Sequence, residues 1–493
     1  MKNKIIYTAI LGSLLSLSSC VKSLDINDNP NAISSFTNDN QLAGTLLTSA
    51  RLESTTLNEL GSFWGGYWAK ASDIAGTSSG ATQSSLDMTV NYTIVNSFAN
   101  SIWENQYLTI YNFQLLYNQA KEGAPAYAGI ADIIQGMHYM QIADYYNNVP
   151  FSNSLIPTNT TPTYDKGLDV YENAINKISE GIDLIKSAGS VNIPTISDIL
   201  FKGDMNKWIQ LANTIKLRGL LQLSNVSAAS SFITSEITKI TQEGSGFLTT
   251  DALLNPGFSK NANQQNPFWD TYYMNYSGNI TTMYNAVRPT KFLVAKYNSY
   301  NDPRAKNIYN LITNDIVGVQ LGTSSTDQTS TKSSSFKVGG VLKSATASAL
   351  YFSAAESYFL QSEAIYRGWI TGSLSSSFKS AISSSMNYIG VSAADQNSYL
   401  SQSILDIDAS SDKLGLLIDQ KWLALNSIDG HAAFNDYRRL SLPKDLPGSI
   451  SYDATGKSHP NRLLYPTSEQ SVNKANVDAE GNIDPFTNKI FWQ

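Results

Sequence analysis

The chain has 493 residues, a formal net charge of −6 and a single cysteine. An acidic balance with no clustered Lys or Arg argues against phosphate neutralisation and so against a nucleic-acid partner, and one thiol rules out a disulfide framework. The length exceeds the usual size of one hydrophobic core, so one very large domain or two merged subdomains is expected, and 27 Tyr and 8 Trp beside 15% charged residues suit a surface that meets neutral polar ligands.

At the start, Lys2 and Lys4 precede an apolar run from Ile5 to Leu17, and Ser18-Ser19-Cys20 follows. That is the pattern of a signal peptide over residues 1–19 ending in a lipobox. The run is about thirteen residues long, short of the roughly twenty that cross a bilayer, so it directs export and does not remain as a span. Small residues before the cleavage point let the chain lie extended in a peptidase, and the Cys20 thiol is the nucleophile that accepts a diacylglyceryl group. The alternative is an ordinary secretory signal with a chance cysteine, yet the only cysteine falls where a lipobox needs it. Residues 20–40, rich in Asn, Asp and Ser and containing Pro30, predict a lipidated tether. Residues 41–493 then form the folded domain.

Along that domain the first cluster of note is Phe63-Trp64-Gly65-Gly66-Tyr67-Trp68. The Ser/Thr/Gly-rich stretch 76–93 predicts a long surface loop. Helices are expected over about 98–120, then through Ile130, Ile133, Ile134, Met137 and Met140, and again through Tyr171, Ala174, Ile175, Ile178, Ile182 and Ile185, whose spacing of three and four lines one helix face. Further helices are expected over 204–224, 349–368, 373–389, 411–427 and 430–440, with long surface loops at 318–346 and 445–460. Strand-like alternation is scarce. Several helices come in pairs joined by short turns, the spacing of helical-hairpin repeats of roughly 34 residues. The predicted fold is therefore mainly α: a helical-hairpin, TPR-like repeat scaffold with long irregular loops and few short strands.

Enzyme signatures are sparse. There is no His-Glu-x-x-His, no Walker loop and no cysteine pair for a metal, and the histidines are His138, His431 and His459. Gly76-Thr77-Ser78-Ser79-Gly80 matches Gly-x-Ser-x-Gly, but a nucleophile elbow needs a buried strand before it and a helix after it. Ala69 to Ala75 does not read as such a strand, so the match is treated as coincidence. A glycosidase needs two carboxylates about 5 to 10 Å apart across a cleft, and nothing marks such a pair. No catalytic residue, metal site or cofactor is assigned.

Several segments together resemble one family. Asp144-Tyr145-Tyr146-Asn147-Asn148-Val149-Pro150-Phe151 is similar to the D-x-Y-G-D-V-P-Y segment of the SusD/RagB nutrient-binding outer-membrane lipoproteins, with Asn147-Asn148 in place of Gly-Asp. Asp198 to Trp208 (DILFKGDMNKW), continuing through Ala212-Asn213 to Lys216-Leu217-Arg218, follows the family pattern almost without a gap. Arg288-Pro289-Thr290, Asp302-Pro303-Arg304, Glu356 to Trp369, Gln420-Lys421-Trp422, Phe434 to Arg439 and Arg462 to Glu469 continue it in family order. The resemblance implies a helical scaffold, an outer-membrane lipoprotein facing the cell surface, an oligosaccharide or peptide ligand, and a SusC-like TonB-dependent transporter as partner, with no catalysis. Two other readings are carried beside it: a lipid-anchored glycoside hydrolase or peptidase, and a structural or adhesion scaffold.

Each motif also has a plain structural reading. Asp204 is placed to cap the helix after it, Gly203 to permit the tight turn into it, and Trp208 to bury one turn later. Arg218, Arg438 and Arg439 are expected to pair with carboxylates or carbonyls, and Asp302 with Arg304. Ligand contacts must then come from aromatic residues elsewhere, since a flat ring offers an apolar face to the C–H face of a sugar or to a peptide side chain at little rotamer cost. The candidates are Trp64 and Tyr67 in the first cluster, and Trp269, Tyr272, Tyr273 and Tyr276 in Phe268-Trp269-Asp270-Thr271-Tyr272-Tyr273-Met274-Asn275-Tyr276, which reads as a loop. Asn275 and Asn279 are placed to hydrogen-bond hydroxyls. For the first cluster a second reading stays open, in which Trp64 and Trp68, four apart, form a helix face in the core.

Overall fold

The structure is a computed structural model, described over residues 37–74, 84–451, 454 and 456–493. Cys20, most of the expected tether and the Gly76 to Gly80 sequence lie outside the described residues. The helices are α1 (Asn38–Arg51), α2 (Asn58–Trp64), α3 (Ser85–Asn91), α4 (Asn100–Ala120), α5 (Pro125–Tyr146), α6 (Gly167–Ala188), α7 (Met205–Gln222), α8 (Ser230–Glu243), α9 (Pro267–Tyr272) and α10 (Thr282–Ala286). They continue with α11 (Lys291–Ser299), α12 (Arg304–Ile308), α13 (Ala354–Tyr366), α14 (Leu374–Ile389), α15 (Ala393–Leu400), α16 (Lys413–Leu425), α17 (Gly430–Leu440), α18 (Thr467–Val472) and α19 (Lys474–Ala479). Two small antiparallel sheets complete the described residues: β1 (Trp68–Lys70) pairs with β3 (Val287–Pro289), and β2 (Ala252–Leu254) with β4 (Ala349–Phe352).

The scaffold is built on α5. Every residue from Ala126 to Tyr146 is buried, as expected of a helix apolar on nearly all sides. It pairs with α4 across the short turn at 121–124 and packs against α6 on another side. The predicted stripe of α6, from Tyr171 to Ile185, is buried as its period requires. The two helices touch backbone to backbone: a Cβ on Gly129 would stand 2.5 Å from the Gly181 carbonyl oxygen, and one on Gly181 2.6 Å from that of Gly129. Short turns likewise join α13 to α14 and α16 to α17, so the fold is the mainly helical, hairpin-based one that the periodicity indicated.

Local sequence rules set the helix starts. Asp204 Oδ1 accepts from Lys207 N at 3.2 Å after a turn in which Gly203 has φ +88°. One turn later Trp208 is fully buried, and its indole N–H donates to Asp198 Oδ2 at 2.9 Å. The arginines pair as expected: Arg439 with Glu363 at 2.6 Å and Asp436 at 2.7 Å, Arg304 with Asp302 at 2.6 Å.

Two expectations change. Residues 349–368 begin as strand, because the apolar run Ala349–Phe352 pairs with β2 before the helix starts behind its Ser353 cap, and periodicity alone does not separate a short buried strand from a helix turn. Within 76–93, expected as loop, the described residues form α3, whose cap Ser84 accepts from Asp87 N at 3.1 Å. Residues 318–346 are irregular, held by single bridges such as Tyr309 with Phe336.

Candidate functional site

Helix α9 is fixed at its start by chemistry the sequence shows. Pro267 takes the first helical position, where a missing N–H costs nothing, and Asn266 Oδ1 accepts from Trp269 N at 3.1 Å. The same asparagine ties the helix to a neighbouring loop, with N donating to Ala345 O at 2.8 Å and Nδ2 to Ala347 O at 3.1 Å. Gln265 Nε2 donates to Asp270 Oδ1 at 2.7 Å and Met274 O at 3.0 Å, closing the segment from below. In place of the loop expected from the sequence, the segment is a clamped helix followed by a tight turn.

The spacing of this helix sorts its rings. Phe268 and Tyr272, four apart, face inward: Tyr272 is 0% exposed and its centroid lies 4.9 Å from that of Trp68. Its hydroxyl donates to Glu59 Oε2 at 2.8 Å, beneath a surface where burial holds Glu59 above the usual carboxylate range. Trp269 and Tyr273, also four apart, are half-buried on the outer side, with centroids 4.6 Å apart at 70°. Tyr284 of α10 extends the row, 5.1 Å from Tyr273 at 77°, and its hydroxyl lies 3.2 Å from Phe336 O. Three rings in edge-to-face contact thus hold one another in place while each keeps part of its surface in water.

A turn caps this row. Asn275 N donates to Asn279 O at 3.0 Å, Thr281 N to Tyr273 O at 2.9 Å, and Gly278 supplies the left-handed step at φ +84°. Asn275 Oδ1 accepts from Ser277 N and Asn279 N, both at 3.0 Å. Its side-chain oxygen therefore shapes the turn instead of facing a ligand hydroxyl, as had been expected of it. Tyr276, 57% exposed, stands at the tip, with Asn279 exposed beside it.

The first cluster sits elsewhere. Trp64 is 1% exposed, packs on Phe434 with centroids 5.6 Å apart and donates its indole N–H to Thr89 O at 3.1 Å. Tyr67 is 0% exposed, 4.7 Å from Trp422, and its hydroxyl donates to Trp422 O. The structure thus places Trp64, Tyr67 and Tyr272 in the core, out of reach of a ligand at the surface, because their polar atoms already have inward partners. Trp64 and Trp68 are both core but do not share a helix face, since α2 ends at Trp64 and Trp68 begins β1. Of the ring candidates, Trp269 and Tyr273 come together at the surface, and Tyr276 stands exposed on the turn that follows. Tyr284 was missed, and no local signal marks it; only the bridge of Met274 with Ile280 brings α10 back beside α9.

Beside α9 lies a narrow cleft of about 30 Å³, lined among others by Asn58, Asn266, Phe268, Lys343 and Tyr388. It shares Ser54, Leu350 and Ile428 with a second cavity of about 20 Å³, whose walls include Glu53, Glu356 and Asp429. Glu53 sits in a π-helical turn, Leu52–Leu57, between α1 and α2, where Ser54 and Thr55 hydroxyls donate to the carbonyls of Ala50 and Arg51 at 2.7 Å each and compete with regular α pairing. Close packing of α2 on α17 sets Asp429 opposite: a Cβ on Gly430 would lie 2.3 Å from Ser62 N. Arg218 NH2 spans Glu356 Oε2 at 2.6 Å and Asp429 Oδ2 at 2.9 Å. The histidines serve the interior: burial lowers His138 to about 3, with Nε2 2.8 Å from Ser49 Oγ, and His431 Nε2 is 3.0 Å from Asp144 Oδ2.

A helical-hairpin scaffold that displays a row of rings on a clamped short helix defines a class, a scaffold protein with an exposed aromatic surface. The chain belongs to the SusD-like family described as "Starch-binding associating with outer membrane", whose profile matches residues 31–466. Solved structures share the fold. A chitin-binding SusD homologue from Flavobacterium johnsoniae is 19% identical, with a TM-score of 0.74 over 92% of this chain and 98% of that one. A SusD-like protein from Bacteroides thetaiotaomicron is 21% identical, with a TM-score of 0.74 over 92% and 98%. A SusD/RagB family protein from the same organism is 20% identical, with a TM-score of 0.75 over 93% and 99%. No curated protein matches the chain. No helix among the described residues is long and apolar enough to cross a membrane.

Proposed function

We propose that this protein is a lipid-anchored binding protein of the outer membrane that captures an oligosaccharide on the Trp269, Tyr273 and Tyr284 platform and hands it to a SusC-like TonB-dependent transporter. The observation that carries the reading is the outward row of half-buried rings on a helix clamped through Asn266 and Gln265. Ring faces and edges held this way suit the alternating C–H and O–H surfaces of a sugar chain, and a shallow platform leaves the chain free to extend beyond it. The family description and the chitin-binding name of a structural neighbour support a glycan over a peptide. Capture and delivery use binding energy alone, so the protein needs no catalytic group. An acylated binder cannot itself carry its ligand through a bilayer, which is why a barrel partner completes the reading.

Titration with starch- and chitin-derived oligosaccharides is expected to quench tryptophan fluorescence reversibly, with the sugars recovered intact. Release of shortened products would favour the hydrolase reading instead. Cys20→Ala is expected to abolish lipid attachment without lowering the melting temperature, because the attachment point and the expected domain, residues 41–493, are separate in the sequence, and palmitate labelling that persists in this variant would overturn the anchor.

A further inference from the structure

The second cavity is chemically unlike the platform it adjoins. Three carboxylates, Glu53, Glu356 and Asp429, line it, and the cation paired with them is Arg218. Arg218 satisfies one oxygen each of Glu356 and Asp429; Glu356 Oε1 and Glu53 Oε1 are buried without a hydrogen bond to any protein group. Glu356 is 1% exposed, so its unpartnered oxygen has no route to bulk water except through the cavity. Glu53 Oε2 accepts from Gln141 Nε2 at 3.0 Å. The nearest basic group to its other oxygen is His138 Nδ1 at 3.8 Å, and that nitrogen is committed to Gln106 Oε1 at 2.6 Å. The other polar groups of the wall are engaged elsewhere: the Tyr351 hydroxyl lies 2.8 Å from Ser49 Oγ, Ser54 Oγ donates to Ala50 O at 2.7 Å and Ser353 Oγ accepts from Glu356 N at 3.1 Å.

Buried carboxylates with free lone pairs and a deficit of positive charge are costly unless something cationic or protonated completes them. The cavity, about 20 Å³, has room for one group the size of a water molecule. Asp429, in its wall, keeps 18% of its side chain exposed. A tetrahedral ammonium fits all three conditions: size, charge and donors for several carboxylate oxygens at once. Lys343, in the adjoining cleft, does not fill the role, because its Nζ is directed at the Tyr388 and Gly339 carbonyls and over the Tyr388 ring.

We propose that this cavity is a subsite for a primary ammonium group, and that the glycan taken by the platform is one with free amino groups. The assignment rests on the glycan reading above for the source of the amine. It follows from continuity: the cavity shares Ser54, Leu350 and Ile428 with the cleft that ends at Asn266 and Phe268, the residues from which Trp269 projects. An amino sugar held beside α9 would reach Glu53 and Glu356 by way of that cleft. The state of Glu53 agrees: burial, with the Asp429 charge adding to it, pushes its carboxyl up to about 8.

The test uses the full folded chain and three probes at a pH where amines are charged: a glucosamine oligomer, an N-acetylglucosamine oligomer of equal length and a lysine-containing peptide. The glucosamine oligomer is expected to bind about tenfold or more tightly than its acetylated counterpart, the scale of one charge-assisted hydrogen bond. Glu53→Gln should bring the affinities for the two oligomers together. If Glu53→Gln does not fold, Asp429→Asn, which keeps the oxygen that caps Ala432 N, reads the same loss. Equal binding of both oligomers, a Glu53→Gln effect equal on both, or no probe bound at all would overturn the subsite; a cavity that holds only water gives one of these results. Glu53-dependent binding of the peptide alone would support the ammonium subsite and sink the glycan reading.

Discussion

The surroundings of Asp144 and those of Trp269 show opposite ways of using polar and aromatic residues. Asp144, on the buried α5, accepts from Asn435 Nδ2 at 2.7 Å, His431 Nε2 at 3.0 Å, Trp492 Nε1 at 3.0 Å and the Tyr171 hydroxyl, tying α17, α6 and the C-terminal segment to α5 on one carboxylate. Around Trp269 the polar groups are spent on holding a short segment, and the rings keep open surface. Family-like motifs concentrate in the first kind of place. A residue held as Asp144 is, with its acceptors taken by its neighbours, marks the fold, and the aromatic platform falls between motifs.

The most severe way to break that contrast is Asp144→Ala. It leaves the Trp492, Asn435 and Tyr171 donors buried without an acceptor, and the expected cost is about 3 to 5 kcal/mol, the range for removing one member of a buried polar cluster. Chemical denaturation measures it. A loss under about 1 kcal/mol would mean that the cluster is a set of weak, replaceable contacts.

The scaffold was legible because its rules are local. Ile130 to Met140 and Tyr171 to Ile185 announce helices by period, and Gly203, Asp204 and Trp208 announce a turn, a cap and a buried ring within six positions. The aromatic surface was legible only in part. Composition pointed to Trp269 and its neighbours, but whether a ring faces in or out depends on helix phase, which the Asn-Pro start sets, and the segment had been read as a loop. Tyr272 and Tyr273 are adjacent and chemically alike, yet one is core and one is not. Tyr284 and the Glu53 cavity depend on contacts between segments far apart in the chain, which no window of sequence contains.

Between the two regions lies Glu53, and its pH dependence sharpens the comparison. Its folded carboxyl is raised from 4.5 to about 8, first by burial and then by Asp429. A raised pKa means that the folded state holds the proton longer than the unfolded one, so this contribution to stability is full below about 4.5 and declines as pH rises to about 8. Glu53→Gln is expected to remove the decline and to melt higher than the parent at pH 8, by an amount on the order of a few kcal/mol at most. Parallel melting curves across this range would place the Glu53 charge in contact with water.

A smaller effect is expected at the seam where the platform meets the core. Tyr272→Phe keeps the ring against Trp68 but removes the hydroxyl that donates to Glu59 Oε2. A buried acceptor left unpaired costs about 1 to 3 kcal/mol. Ligand binding should be nearly unchanged, because the ring still supports Phe268 and α9 from below. Loss of affinity with intact stability would instead put Tyr272 in the site.

The smallest effect on stability, and the one most specific to function, belongs to the outer rings. Trp269→Ala and Tyr273→Ala remove half-buried side chains that pack edge-to-face with each other and Tyr284 and rest on the margin of the core. The clamp through Asn266 and Gln265 does not depend on them, so melting temperatures should fall little. Each ring lost from a stacking surface should weaken oligosaccharide binding by about 1 kcal/mol, the scale of one aromatic contact. The paired loss should be less than the sum, since either truncation already frees the partner ring that the edge-to-face contact had held in place. Tyr276→Ala, at the tip of the turn, should cost less than either. If Trp64→Ala, run beside them, lowered affinity in the folded fraction more than Trp269→Ala did, the platform would lose its claim, because Trp64 reaches ligand only through the packing of the core.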